Sequence, residues 1–238
     1  MDGRGLMRPP LPAKLLETAR EYAAGDRVPA APRDAATVLL LREGPSGPEV
    51  YVMVRRRSMA FAGGMVAFPG GGLDPADAAT ELADPSGWAA RLGVSPDLAR
   101  AVVGAAVREL EEETGVVVSP AVLGLWDAWT TPEFEPRRYR TWFFAAELPL
   151  GQEAAELSTE SSSAEWVTPA EALDRADAGE WTLLPPTYCA CLRLATFASV
   201  DDAMALARET AVEMFTPTVD GETLTLPDWA HPLWEARG

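Results

Sequence analysis

The stretch RELEEETG, Arg108–Gly115, decides how this chain is read. It sets Glu109, Glu111, Glu112 and Glu113 side by side, straight after the apolar run ARAVVGAAV of residues 99–107. Like charges four apart on a helix destabilise it by about 0.2–0.5 kcal/mol per pair. Ser95 and Pro96 make a helix start and Gly115 a stop, so SPDLARAVVGAAVRELEEETG reads as one helix. A helix turns about 100° per residue, which gathers Glu109, Glu112 and Glu113 on one face and sends Glu111 towards solvent. Three carboxylates on one face call for a cation, and a hard divalent ion such as Mg²⁺ or Mn²⁺ suits clustered oxygen donors. A solvated acidic face is the alternative.

The chain has 238 residues, 47% hydrophobic and 24% charged, with a formal charge of −16. Such a composition suits one large globular domain, or one domain with an appended lobe. The negative field opposes nucleic acid and anionic membranes, so neither is expected as a partner. No apolar run approaches the ~18 residues of a membrane span, and no secretory leader is visible, which gives the expectation of a cytoplasmic protein. Cys189 and Cys191 form a C-x-C in a predicted helix, a poor disulfide and a poor metal site, and read as buried thiols. The single histidine, His231, lies in a Pro- and Trp-rich tail, which argues against histidine catalysis.

Outward from the acidic helix, PAKLLETAREYAAG reads as a helix followed by a Pro-rich linker. AATVLLLREG and EVYVMVRRR read as a hairpin across EGPSGPE, and GGMVAFPGGGLD as a short strand entering a glycine-rich turn. Further strands are predicted at AVLGLWDAWTT, RRYRTWFFAAEL and SAEWVTP. Later helices fall in TPAEALDRADAG, PPTYCACLRLATFA and SVDDAMALARETA, and a last hairpin in TPTVDGETLTLP. The pattern is α+β around a mixed sheet. It divides as 1–34, an N-terminal helix and linker; 35–182, the main domain; and 183–238, a C-terminal helical lobe with a hairpin tail.

Arg-Glu-apolar-x-Glu-Glu-x-Gly-apolar, from Arg108 to Val116, resembles the second half of the Nudix box, the signature of Nudix hydrolases. The first half is a glycine, five residues and a glutamate, often after Phe-Pro-Gly. Here Phe68, Pro69, Gly70 and Gly71 supply the start, and the count from Gly71 reaches Asp77, an acid of the wrong type. The uninterrupted signature puts its arginine at position 85, whereas here it is at 108, so about 78–100 is read as an insertion, either a lid that shapes specificity or a surface excursion. FAGGMVAFPGG, Phe61 to Gly71, and LLPPTY resemble the branch that includes peroxisomal coenzyme A diphosphatases. An arginine found in the bacterial and mitochondrial coenzyme A signature is absent, its place taken by Ala60.

The resemblance implies a Nudix fold, an α/β/α sandwich, and hydrolysis of a nucleoside diphosphate derivative with Mg²⁺ or Mn²⁺. It implies that Glu109, Glu112, Glu113 and the Gly70 carbonyl bind metal, with Arg108 orienting a carboxylate and Glu109, Glu112 and Arg108 serving catalysis. The general base is left among Glu153, Glu156, Glu160 and Glu165, with Glu160 first. Arg55, Arg57, Arg138, Tyr139 and Gly71 are the expected substrate contacts, and Trp126, Trp129 and Phe134 are either base-stacking or core residues. The branch suggests coenzyme A or its acyl derivatives as the small-molecule partner. NADH, ADP-ribose and nucleoside triphosphates are alternatives, as is a non-catalytic nucleotide sensor; a homodimer is compatible with the sequence.

Overall fold

The structure is a computed structural model that describes residues 13–25, 28–56 and 63–237. The expectations placed on Arg57 and Phe61 lie outside those residues. Helix α1 (Ala13–Ala23) precedes the hairpin of β1 (Arg33–Gly44) and β2 (Gly47–Arg55), in which Gly44 pairs with Gly47. Gly47 has φ 112°, a conformation L side chains rarely adopt, so the turn requires glycine.

Two short strands follow, β3 (Val66–Ala67) and β4 (Gly70–Gly72). The glycine run read as a turn is therefore itself a strand, with Gly70, Gly71 and Gly72 antiparallel to Thr37, Ala36 and Ala35. A Cβ on Gly70 would stand 2.6 Å from the Thr37 Cα, so only glycine lets the two backbones come this close.

A 3-10 turn (Pro75–Ala79) and helix α2 (Pro85–Leu92) lead to α3 (Pro96–Thr114). The Ser95 hydroxyl accepts from the Leu98 N–H at 3.3 Å, and Gly115 ends the helix at φ 74°. The span 78–100 contains α2 and packs in part against the domain. Its last residues are the first turn of α3, and α2 buries Ala89 and Leu92 against that helix. The Trp142 indole N–H donates to the Leu92 carbonyl at 3.2 Å. Arg91 donates to the carbonyls of Ala207 and Thr210 at 2.8 and 2.9 Å, which ties α2 to the C-terminal helices.

The chain continues through β5 (Gly124–Thr130), β6 (Tyr139–Glu147), β7 (Ser161–Val167), α4 (Pro169–Asp177), α5 (Pro185–Leu194) and α6 (Val200–Glu209). A small hairpin, β8 (Val219–Asp220) with β9 (Thr223–Leu224), and α7 (Ala230–Arg237) complete it. The sheet runs β3-β2-β1-β6-β5, with β4 on β1 and β7 on β2; β1 and β6 are parallel and the other pairs antiparallel. Alternation along β1 serves two cores. Val38 and Leu40 face α2 and α3, while Leu39 and Leu41 face α4 to α6, where Cys189 and Cys191 are buried outside any disulfide. The result is an α/β/α sandwich whose C-terminal helices close one face. Among the described residues no helix is long and apolar enough to cross a membrane.

Candidate active site

The last turns of α3 meet β4, the 3-10 turn and the segment 153–160. Close packing produces the meeting. A Cβ on Gly104 would lie 2.6 Å from the Asp77 carbonyl oxygen, so glycine lets the helix settle on the turn and brings Asp77 to Arg108. The Arg108 guanidinium then donates Nε to Asp77 Oδ1 at 2.9 Å and Nη2 to Oδ2 at 3.0 Å. It also reaches the Gly72 carbonyl at 3.0 Å, Glu109 Oε1 at 2.7 Å and Glu112 Oε2 at 3.1 Å. Asp77 is 4% exposed and also accepts from the Asp74 N–H at 2.7 Å. The Asp77 hydrogen bonds, with help from Glu109 and against burial, hold the Arg108 guanidinium well above its ordinary range.

The glutamates differ in their surroundings. Glu112 is largely exposed and is held only by Arg108. Glu109 lies against Gly71, where a Cβ would collide with its carboxylate; burial raises its pKa and Arg108 opposes the rise. Glu113, 7% exposed, turns to the opposite side of the turn. Its Oε2 accepts from the Gly70 N–H at 2.8 Å and its Oε1 from the Ser158 hydroxyl at 3.1 Å. Burial pushes the Glu113 carboxyl up to about 7, and the two donors and Arg55 offset this only in part.

The segment 153–160 is fastened to the end of α3. Ala155 and Leu157 donate their N–H groups to the carbonyls of Thr114 and Glu113 at 3.0 and 3.1 Å, satisfying acceptors that a helix end leaves open. Ser158 Oγ also accepts from the Glu160 N–H at 3.1 Å, and the half-exposed Glu160 carboxylate stands 3.5 Å from Arg55 Nη2. Among the described residues Arg55 Nε is buried without a hydrogen-bond partner. Of the other candidate bases, Glu156 accepts from the Ser161 hydroxyl at 2.8 Å and Glu165 from Arg175 at 3.1 Å.

Two guanidinium groups, Arg55 and Arg108, thus serve five carboxylates, Asp77, Glu109, Glu112, Glu113 and Glu160. The surplus of negative oxygen donors, with one of them buried and resisting ionisation, fits a hard divalent cation. Among the described residues no three acid, histidine or cysteine side chains stand as a ready coordination shell. The reason is visible: Arg108 itself occupies the gap between Glu109 and Glu112, while Glu113 is turned to Gly70 and Ser158. Gly70 offers its N–H here, to Glu113.

The expected substrate contacts fall in different places. Tyr139 lines a cavity of about 520 Å³ with Pro32, Arg33, Asp34, Gly72 and Leu73. Arg138 is a correction: it is buried, and its Nε and Nη1 donate to the carbonyls of Thr131 and Ala30 at 3.0 Å each, so it braces a loop. Trp126 and Trp129 are core residues, 1% and 3% exposed, and cannot stack on a base. Sequence reading missed Arg33, Ser158 and the structural part of Asp77. Only Asp77 had a signal, the residue count from Gly71; the other two depend on strand register and loop docking.

Comparison with known proteins agrees with this architecture. A NUDIX domain family model matches residues 31–185. The Caenorhabditis elegans protein named nudix hydrolase 7 is 27% identical over 182 residues, which cover 68% of this chain and 60% of that relative. The crystal structure of a NUDIX hydrolase from Alicyclobacillus acidocaldarius superposes with TM-score 0.62 at 24% identity, covering 74% of this chain and 96% of its own.

Proposed function

This chain belongs to the NUDIX domain family, and we propose that it is a hydrolase that cleaves the diphosphate bond of coenzyme A or acyl-coenzyme A, giving 3′,5′-ADP and (acyl-)phosphopantetheine. The observation that carries the reading is Glu113, buried beside the Gly70 backbone within a surplus of carboxylates. The branch-like FAGGMVAFPGG supports the coenzyme A part.

In this reading Glu109, Glu112, Glu113 and the Gly70 backbone hold Mg²⁺ or Mn²⁺. Bound there, the cation supplies a lowered water pKa and offsets charge on the diphosphate oxygens. Gly70 and Ser158 fix the Glu113 carboxylate from both sides, and Arg108 holds Glu109 while fastening β4 through the Gly72 carbonyl. Arg55, with a buried N–H that nothing among the described residues satisfies, takes a substrate phosphate oxygen. Glu160, relieved of Arg55 by that contact, accepts the proton of the attacking water. Gly71 and Tyr139 border the substrate, and residues 35–182 form the catalytic unit with 183–238 packed against it.

A second reading, a different nucleoside diphosphate derivative, is favoured by Ala60 standing where the bacterial coenzyme A signature has arginine. Product release from coenzyme A, acyl-coenzyme A, NADH, ADP-ribose and nucleoside triphosphates, with and without Mg²⁺ or Mn²⁺, separates the two. In ¹⁸O-water the label is expected on a phosphate oxygen of one product. Label in a released fatty acid with the diphosphate intact would overturn the mechanism.

A further inference from the structure

The cavity beside β4 holds a charge that the reaction as described does not use. Arg33 opens β1 and is paired in register with Tyr139, so the two side chains lie side by side on one face of parallel strands. The same face continues two residues at a time to Ala35 and Thr37, and the Thr37 hydroxyl donates to the Pro69 carbonyl at 2.7 Å. It is the face that carries Leu39 and Leu41, away from α3, and it ends at the Phe68 and Pro69 carbonyls, next to Gly70, whose N–H is bonded to Glu113. Along the way the floor is made of small residues, because Ala35 is paired with Gly72. A Cβ on Gly72 would meet nothing closer than the Asp34 carbonyl at 3.9 Å, so this glycine leaves open space. The Gly72 carbonyl is also the one held by Arg108, so the cavity meets the carboxylate cluster across the edge of β4 at this backbone group.

The charges in the cavity are unequal. Asp34 is engaged by Arg140 through two hydrogen bonds of 2.7 and 2.9 Å. The Arg33 guanidinium is exposed and has no side-chain partner among the described residues, although the chain carries a net −16. At about 520 Å³ the space is in the range of small-molecule sites, with Tyr139, Pro32 and Leu73 as apolar walls and one uncompensated cation.

We propose that this cavity receives the nucleoside end of the substrate and that Arg33 recognises a phosphomonoester on its ribose. The proposal rests on the nucleotide-hydrolase reading and adds a substrate class: nucleotides with a second phosphate outside the diphosphate. A guanidinium supplies a planar pair of N–H donors to such a group, and a neutral ribose hydroxyl gains much less from it.

Calorimetry with 3′,5′-ADP and 5′-AMP, which differ by that one phosphate, tests the assignment without turnover. With Mg²⁺ present the wild-type chain is expected to bind 3′,5′-ADP about tenfold more tightly, the gain of one charged contact. Arg33→Gln removes that ratio and leaves 5′-AMP affinity unchanged, and Arg33→Lys retains part of it. Thermal melts of both variants match wild type, since the side chain supports no other group. Gly72→Val, which fills the open space, weakens both ligands together. Equal affinities in the wild type, a ratio that survives Arg33→Gln, or no binding of either nucleotide at millimolar concentration overturns the assignment. The two readings fail separately. A preserved ratio without coenzyme A hydrolysis keeps the subsite and discards coenzyme A. Equal kcat/KM for coenzyme A and 3′-dephospho-coenzyme A, with a binding ratio of one, does the reverse.

Discussion

The two faces of the sheet each bury a carboxylate near a guanidinium, and the two clusters have opposite characters. On the α5–α7 face, Asp127 is 7% exposed and accepts from the Trp129 indole N–H at 2.8 Å and the Ala128 N–H at 2.9 Å. One guanidinium, Arg193, offsets its charge while lying 3.6 Å from the Trp229 ring and donating to the Trp126 carbonyl at 2.7 Å. Burial raises the Asp127 pKa just as it raises that of Glu113, yet here carboxylate and guanidinium match one to one and both are fastened to core groups. On the α3 face five carboxylates share two guanidinium groups. A shifted pKa alone does not mark a site. The uncompensated charge beside it does, because that surplus can be relieved only by something that arrives from solution.

The largest effect should come from neutralising the acid on each face. Glu113→Gln is expected to lower turnover by about three orders of magnitude, near 4 kcal/mol of transition-state stabilisation, while the fold survives. Asp127→Asn should keep kcat within about threefold and lose about 1–3 kcal/mol of stability through its weakened buried hydrogen bonds. Steady-state kinetics and urea melts of the pair decide it; equal losses of activity would erase the distinction drawn here.

Removing the shared cation is next. Arg108→Gln leaves Asp77 buried with nothing opposite and should cost about 3 kcal/mol in the metal-free protein. Added Mg²⁺ or Mn²⁺ should recover part of it, a recovery that Asp127→Asn does not show. Melting curves with EDTA and with each metal test both statements. Gly104→Ala follows, at about 1–3 kcal/mol, because the new methyl group strikes the Asp77 carbonyl and Thr80. An unchanged midpoint in urea would mean that α3 and the turn are not packed as described.

The smallest effect is a pH dependence with a fixed sign. Folding raises the Glu113 pKa from 4.5 to about 7, so between those values the folded chain keeps a proton that the unfolded chain has released. The Glu113 contribution to stability in EDTA is therefore undiminished below about pH 4.5, falls as pH rises from there to about 7, and is level above that. Saturating Mg²⁺, which binds the ionised carboxylates, should flatten that fall. Asp127 contributes in the same direction but without metal dependence, so Asp127→Asn leaves the Mg²⁺-sensitive part intact. Flat metal-free melts from pH 5 to 8 would remove the argument for a strained Glu113.

The acidic helix and its boundaries were legible because they rest on local chemistry: a serine cap, a proline in the first turn, a glycine stop and a 3.6-residue period. The hairpin of β1 and β2 was legible for the same reason. Three features were not. The Gly70–Gly72 run looks like a turn because glycine is permissive, and it becomes a strand only when β1 lies alongside, at Gly70 at a distance no side chain allows. The span 78–100 reads as short helical pieces interrupted by Pro85, Gly87, Gly93 and Pro96, and one of them, α2, gains its place only from apolar contacts made far along the chain. Arg138 looks like a ligand arginine until its carbonyl partners, Ala30 and Thr131, are brought to it.

The sequence by itself determined the helix that bears the carboxylates and the excess of negative charge on its face, since each follows from residue type and spacing along one segment, and its resemblance to the Nudix box pointed to the family of the fold. Only the tertiary structure decided which cation stands among those carboxylates, which glutamate is buried, and which arginine is left unpaired at the neighbouring cavity. The physical reason is that compensation and burial are set by groups remote in sequence: Asp77 and Gly72 for Arg108, Gly70 and Ser158 for Glu113, and the register with Tyr139 for Arg33.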